Sequence, residues 1–226
     1  MAHVAIFDLD RTLTVKGGFL PFAFFALRRR PGRVIALPRI LVAGALTGLK
    51  IWHRDQAKAL IWRSVLAGLD KPSAETLCRQ FGETWARRAL RPGAVDVLAR
   101  HRAAGDRLIL ATAAMDLVAE PFGHALGFDE IVATKTGWTP DGRVASRFDG
   151  ANCYGEEKLR RVREALGREE APEGSVAYSD HVTDLPLLLW ARSGVAVNPH
   201  KPLAAVAEAS GLALADWGVA PAPGPR

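Results

Sequence analysis

The sequence predicts an α/β fold: a Rossmann-like parallel sheet with helices on both faces and a helical cap inserted after the first strand. Three observations predict it. A short apolar run near the amino terminus, Val4 to Leu9, ends in acidic residues, as a buried strand does when its carboxyl end carries polar chemistry. Residues 19 to 90 follow with helical spacing and no convincing strand. From Arg91-Pro92-Gly93 onward, helical segments and short apolar runs alternate, which is the rhythm of a parallel sheet with crossover helices.

The later elements follow in order. A helix is expected over Ala94 to Ala103, a strand over Arg107 to Thr112, a helix over Leu117 to Leu126 and a strand over Glu130 to Thr134. Thr139-Pro140-Asp141-Gly142-Arg143 reads as a hairpin-type turn. A charged amphipathic helix over Glu156 to Leu166, a strand over Ser175 to Ser179, a helix over Leu185 to Ala191 and a strand over Gly194 to Val197 complete the pattern. The organisation is a core formed by residues 1–15 and 91–217, a helical cap over 16–90, and a Pro- and Gly-rich tail over 218–226 that is expected to be disordered. An insertion after the first strand sits over the carboxyl ends of the strands, where open α/β sheets bind ligands, so it is a candidate lid.

Composition narrows the function classes. The 226 residues are 49% hydrophobic and 24% charged, with two cysteines, Cys78 and Cys153. That is a globular chain, not a disordered or disulfide-stapled one. Its net charge of +6 calls for an anionic partner: a phosphate substrate, nucleic acid or anionic lipid. The amino terminus reaches two aspartates by position 10 and lacks the pattern of a secretory signal, so a cytoplasmic location is expected. The chain lacks an uninterrupted apolar run of the ~18–20 residues that a spanning helix requires.

The chemistry gathers at predicted strand ends. Asp8 and Asp10 flank Leu9, and alternation along a strand would point both the same way. Two such carboxylates with Thr12 nearby suit a hard divalent cation such as Mg²⁺, although a lone Asp-x-Asp also fits a loop with acidic caps. The strand over residues 107 to 112 ends in Thr112, followed by Ala113 and Ala114, whose amides at a helix start would receive a phosphate. Lys158 stands in the first turn of a helix, where the dipole disfavours a cation unless an anion is near; a surface lysine is the alternative. Ser179 and Asp180 close another strand, with Asp184 four residues on, which would otherwise serve as a helix cap. His181 is read as a neutral histidine at the edge of the site or on the surface, since oxygen ligands suffice for Mg²⁺; Cys153 and Cys78 are read as packing residues.

In this order, Asp8-Leu9-Asp10-Arg11-Thr12-Leu13, Thr112, Lys158 and Ser179-Asp180 with Asp184 resemble the four motifs of the haloacid dehalogenase superfamily of phosphohydrolases. The resemblance covers residue 3 to about residue 200, and the four-part combination is specific where each piece is weak. It implies a phosphoric monoester hydrolase with Asp8 as nucleophile and Asp10 as general acid and base. It also implies Mg²⁺ held by Asp8, the backbone carbonyl of Asp10 and Asp180, with Thr112 and Lys158 on the phosphate oxygens and Asp184 supporting the lysine or the metal. The second aspartate, at position 10, goes with phosphatases of the superfamily, where the transport ATPases carry a threonine.

The core motifs resemble the branch that contains phosphoserine phosphatase, but those enzymes carry an acidic residue shortly after the first motif, where this chain has Thr14-Val15-Lys16-Gly17-Gly18. No Asp or Glu occurs from Arg11 to Arg54, whereas nine Lys and Arg do, leaving the rest of the chain at a net −3. The basic residues interleave with apolar runs, Phe19 to Leu27 and Val34 to Trp52, and Gly44 and Gly48 would permit close helix packing. This segment resembles the cap of bacterial phosphatidylglycerophosphate phosphatases of the same superfamily. The expectation is therefore a phosphatase acting on a lipid phosphomonoester, peripheral or monotopic on the inner face of the cell membrane, with an anionic membrane surface as partner. The alternatives are an ordinary cap core over a soluble phosphoserine, histidinol phosphate or phosphocholine phosphatase, and a regulatory protein that kept the fold. Nucleic-acid binding is set aside for want of a zinc or recognition-helix pattern, and no obligate protein partner is expected.

Overall fold

The computed structural model describes residues 3–49, 51 and 54–218. Apart from Gly218, the expected tail lies outside the described residues, as do Lys50 and Trp52 of the basic apolar segment.

Seven strands form one sheet: β1 (Val4–Phe7), β2 (Arg107–Met115), β3 (Glu130–Trp138), β4 (Val144–Asp149), β5 (Val176–Ser179), β6 (Ser193–Val197) and β7 (Ala213–Ala215). Their order is β4-β3-β2-β1-β5-β6-β7. Every neighbouring pair is parallel except β3 and β4, an antiparallel hairpin closed by the turn at residues 139–143. The mostly parallel sheet predicted from the alternation of elements is thus observed. β1 is central and buried throughout, which is why its residues are apolar without alternation.

Helices cover both faces. Val4 and Ile6 point to one face, where they meet α7 (Glu156–Leu166), α8 (Leu185–Trp190) and α9 (Lys201–Ala207) through Leu159, Val162, Leu187 and Leu203. Ala5 and Phe7 point to the other, against α5 (Pro92–Ala103) and α6 (Asp116–Ala125) through Val97, Leu98 and Phe122. The period of two along β1 therefore sorts its side chains into two separate apolar clusters.

Between β1 and α5 the chain forms α1 (Phe19–Arg29), a 3₁₀ turn (Pro31–Ala36), α2 (Leu37–Gly48), α3 (Arg54–Val65) and α4 (Lys71–Arg88). These elements have an apolar cluster of their own, built on Phe22, Trp62, Leu66 and Phe81, with the Phe22 and Phe81 rings edge to face at 5.2 Å. Met115, Leu117 and Val144 join it from the sheet side. Asp70 caps α4 by accepting from the Ser73 N–H at 3.0 Å, and Pro72 starts the helix without losing a hydrogen bond.

Several boundaries depart from the sequence expectation. β1 stops at Phe7 instead of Leu9, because the chain turns sharply there. β2 runs to Met115, past a bulge, so Ala113 and Ala114 lie on the strand and not at a helix start. β4, α9 and β7 were not anticipated: β4 is largely exposed and β7 spans three residues, too short for a periodic signal. Gly44 meets nothing within 4 Å, so it is not a packing site.

The approach of α4 to α6 does depend on a glycine. A Cβ at Gly82 would stand 2.9 Å from Pro121 Cβ and 3.0 Å from the Phe122 backbone nitrogen. Gly82→Ala is expected to destabilise the protein by about 1–3 kcal/mol through overpacking. Gly44→Ala, in open space on a helix, is expected to stabilise it by up to about 1 kcal/mol. Thermal unfolding of both variants checks the pair, and equal shifts of the same sign would refute the assignment.

Candidate active site

The chain leaves β1 for β2 and β3 on one side and for β5, β6 and β7 on the other, so the strand order reverses at β1. Such a reversal opens a crevice at the carboxyl ends of the strands. Asp8 stands in it directly after β1, its N–H donating to the Tyr178 carbonyl of β5 at 2.9 Å.

A tight turn over residues 9–13 follows, in which Arg11 adopts φ +67, a left-handed conformation costing a non-glycine residue roughly 1–2 kcal/mol. Its surroundings hold it there. Buried Arg91 donates through Nε to the Arg11 carbonyl at 2.9 Å, and the Arg11 N–H donates to Thr14 Oγ1 at 3.2 Å. This corrects the expectation that strand alternation aligns the two aspartates: the turn positions Asp10, and strand geometry does not reach it. The Asp10 carboxylate accepts from the Gly18 N–H at 2.7 Å, at the start of α1.

Lys158 is the pivot of the site. The residue is 1% exposed, and its ammonium donates to Asp8 Oδ1 at 2.9 Å and to Asp184 Oδ2 at 2.7 Å. The surface-lysine alternative is excluded. Asp184 also accepts from Ser179 Oγ at 2.7 Å and makes no capping hydrogen bond to α8, so its side chain serves the lysine and not the helix end. Gly155, at φ +61, supplies the left-handed step that brings Lys158 in at the first turn of α7.

Thr12 ties two carboxylates together. Its hydroxyl donates to Asp8 Oδ2 at 3.0 Å and accepts from the Asp180 N–H at 2.9 Å. With its one proton given to Asp8, the 3.4 Å contact to Asp180 Oδ1 is weak. Asp184 Oδ1 is buried and has no hydrogen-bond partner. Three buried carboxylates, Asp8, Asp180 and Asp184, therefore surround one ammonium that pairs with Asp8 and Asp184, and two of their oxygens are poorly satisfied.

The titration behaviour matches this excess of acid. Burial pushes the Asp8 carboxyl up to about 7 despite the opposing pull of Lys158, with Asp184 and Asp180 adding to the rise. Burial likewise raises Asp180 to about 6. Asp10 is raised by desolvation, against the Gly18 amide and the charges of Lys58 and Arg11. Burial disfavours the Lys158 cation, but Asp184 and Asp8 outweigh it and hold the lysine charged.

These residues fit a hard divalent cation. The poorly satisfied oxygens of Asp180 and Asp184, beside Asp8 and a turn that can offer the Asp10 carbonyl, form the partial oxygen set that Mg²⁺ would complete with water and phosphate. Among the described residues no group of three or more His, Cys, Asp or Glu side chains is arranged to hold a metal ion by itself. Thr112 is buried at the neighbouring strand, its Oγ1 accepting from the Ala114 N–H at 3.0 Å. That amide is engaged by Thr112, which corrects the expectation of a free helix-start amide.

Other residues at the site carried no such expectation. Lys58 reaches from α3 to the Ala113 carbonyl and to Asn152 Oδ1, the latter at 2.8 Å, tying the helical layer to the end of β2. Nothing local marks it, since its partners lie 55 and 94 residues away. The Gly17-Gly18 pair was a legible signal: a Cβ at Gly18 would stand tightly against Trp85 Nε1, at 3.3 Å, and in contact with Asp10 Oδ1, at 3.5 Å. His181 stacks on His200 at 4.1 Å and binds Thr183, at the edge of the site as expected. Cys153 and Cys78 are buried packing residues.

Comparison with known proteins agrees with this geometry. The pattern of the haloacid dehalogenase-like hydrolases matches residues 5–189. The chain is 35% identical over 187 residues to protein CicA of Caulobacter vibrioides, covering 80% of each. It is 28% identical over 225 residues to a histidinol-phosphatase of Neisseria meningitidis, covering 93% of this chain and 97% of that one. Among solved structures, a Bordetella pertussis protein of unknown function superposes with a TM-score of 0.81 at 28% identity, over 96% of this chain and all of the other. A substrate-bound phosphoserine phosphatase superposes with a TM-score of 0.62 at 15% identity, over 95% and 93%, which is a likeness of fold. With most of its length inside the family pattern and a carboxylate-lysine centre at the switch point of the sheet, this chain belongs to the haloacid dehalogenase-like hydrolases.

Proposed function

We propose that the protein is a Mg²⁺-dependent phosphomonoester hydrolase that works through an aspartyl-phosphate intermediate. The observation that carries the reading is Asp8, at the carboxyl end of the central strand, gripped by buried Lys158 and Thr12. Asp8 attacks phosphorus and the bond to the ester oxygen breaks, while the Asp10 carboxyl gives its proton to that leaving oxygen. A water then attacks the phosphorus of the acyl phosphate, Asp10 takes the proton back, and the bond to Asp8 breaks to release inorganic phosphate. The raised pKa of Asp10 suits a group that must hold a proton first and accept one later. Lys158 offsets charge on the phosphate oxygens, Thr112 donates a hydroxyl to them, and Asp184 with Ser179 keeps the lysine in place. Asp8, Asp180 and the Asp10 carbonyl would hold Mg²⁺, which would supply the positive charge that lets a carboxylate approach a phosphate.

For the substrate, the reading is a lipid phosphomonoester, phosphatidylglycerophosphate, met at the cytoplasmic face of the membrane. Its support is the absence of acidic residues from Arg11 to Arg54, which leaves no carboxylate there to pair with a substrate ammonium. A second reading, a soluble amino-alcohol phosphate, is favoured by the likeness to a histidinol-phosphatase over nearly the whole chain.

Phosphate release separates these readings. Wild type is expected to need Mg²⁺ and to prefer phosphatidylglycerophosphate in mixed micelles over histidinol phosphate, phosphoserine and phosphocholine; preference for a soluble ester would install the second reading. Asp8→Asn is expected to lose at least about a thousandfold in rate. Asp10→Asn is expected to lose about 10²–10⁴-fold on alkyl phosphates, and much less on p-nitrophenyl phosphate, whose leaving group needs no proton. Undiminished release by Asp8→Asn would end the mechanism.

The site also sets a pH dependence of stability. In the metal-free folded chain Asp8 and Asp180 hold protons up to about 7 and 6, whereas the unfolded chain releases them near 3.8. Their contribution is therefore full below about pH 4 and is lost as pH rises through 6 to 7. Thermal unfolding in chelator is expected to show wild type losing stability relative to Asp8→Asn over this window, with Mg²⁺ reversing the loss. A difference that stays flat with pH would show that Asp8 is not protonated in the folded state.

A further inference from the structure

α2 departs from the usual chemistry of a surface helix. Ile40 and Ala43 on its inner side are buried, Ile40 in the cluster beneath, as they should be. Its outer side, which ought to be polar, carries Pro38, Leu41, Val42 and Ala45 at helical spacing, all exposed. The turn before the helix presents Ile35, 85% exposed, and the residues after it present Leu49 and Ile51, 70% and 64% exposed. Of the thirteen large apolar side chains most exposed among the described residues, eight lie between Leu20 and Ile51. Concentration of this kind marks a covered surface, where scattered exposure would mean nothing.

Charge says what covers it. A depression of about 400 Å³ beside α2 is lined by Arg33, Arg39 and Arg63 with Ile35, Ala36 and Ser64, and among the described residues no carboxylate lines it. Arg33 is braced by its hydrogen bond to the Ala67 carbonyl at 2.9 Å. Arg28 and Arg39 are exposed on the same layer. Guanidinium groups gathered without an acidic partner among the described residues suit phosphate, which they bind through paired N–H donors. A second copy of this chain would bring one basic face against another, which like-charge repulsion opposes. A surface both apolar and anionic satisfies both halves of the patch. α2, with twelve residues, is about 18 Å long, well short of a bilayer core, and no helix among the described residues is long and apolar enough to cross a membrane.

We propose that α2 and the turn before it form a docking surface for an anionic bilayer: Ile35, Leu41, Val42 and Leu49 enter the headgroup layer, and Arg33, Arg39 and Arg63 take a lipid phosphate. The helix lies in the plane of the interface. This deepens the lipid-phosphate reading of the active site and rests on it for its purpose, but its test does not use turnover.

The full chain is mixed with vesicles of phosphatidylcholine alone, or with about one-third phosphatidylglycerol, and sedimented. Wild type is expected to pellet with the anionic vesicles only, and to be released by high salt. The variant Ile35→Ser/Leu41→Ser/Val42→Ser is expected to bind at least about tenfold more weakly, as is Arg39→Glu/Arg63→Glu. Far-ultraviolet circular dichroism and unfolding temperature check that both remain folded. Asp8→Asn is expected to bind as wild type does, so that a failure of the catalytic reading and a failure of docking are seen separately. Wild type left in the supernatant with anionic vesicles overturns the proposal, as does undiminished binding by either patch variant. Concentration-dependent self-association abolished by the Ser substitutions, without vesicle binding, overturns it in favour of a second copy.

Discussion

The Lys158 ammonium, buried between Asp8 and Asp184, is the constraint around which the rest of the site is arranged. A charge so deeply placed is costly unless its partners are held in position, and breaking such a pair typically costs about 3–5 kcal/mol. Three separate parts of the chain meet that requirement: the end of β1 supplies Asp8, the first turn of α7 the lysine, and the segment after β5 supplies Asp184, braced by Ser179. The pairing therefore couples the register of the parallel strands to the direction of α7. It also leaves the centre with more carboxylate than cation, the electrostatic condition under which a divalent ion is welcome.

The turn after β1 converts this centre into a site with two distinct carboxylates. Left-handed Arg11, held by Arg91 and Thr14, carries the chain away from the strand direction, so Asp8 faces Lys158 while Asp10 faces the amide of Gly18. Equivalent groups on one strand face would have shared one environment. Here one is gripped by an ammonium and the other is held by an amide at the start of α1, a division of environments that suits a nucleophile and a proton carrier in the proposed reaction.

The helical layer over residues 19–88 has two different surfaces. Toward the sheet it contributes Lys58, which reaches the end of β2, and Trp85, which stands beside Gly18 near Asp10. Away from the sheet it presents apolar side chains and arginines. The proposed docking surface is thus carried by the same helical layer that borders the active site.

Much of this was legible in the residues alone. The parallel sheet followed from apolar runs alternating with helical periods, and Asp8, Thr112, Lys158, Asp180 and Asp184 could be named because together, in this order, they resemble the four motifs of a known superfamily. Asp8 and Asp180 directly follow a strand, and Lys158 lies in the first turn of a helix. The reach of β2 to Met115, the short β7 and the exposed β4 were not legible, since bulges and brief edge strands leave no period. Nor was the engagement of Thr12 with both Asp8 and Asp180, or of Lys58 with Asn152, because partners 94 and 168 residues apart meet only after folding. Periodicity showed that α2 is apolar; it could not show which apolar face is covered. Sequence by itself determined the class of fold and the identity of the charged centre, because both are written in local spacing and residue type. Tertiary structure decided the separation of Asp8 from Asp10 and the exposure of α2, because both depend on what the rest of the chain brings, or fails to bring, against them.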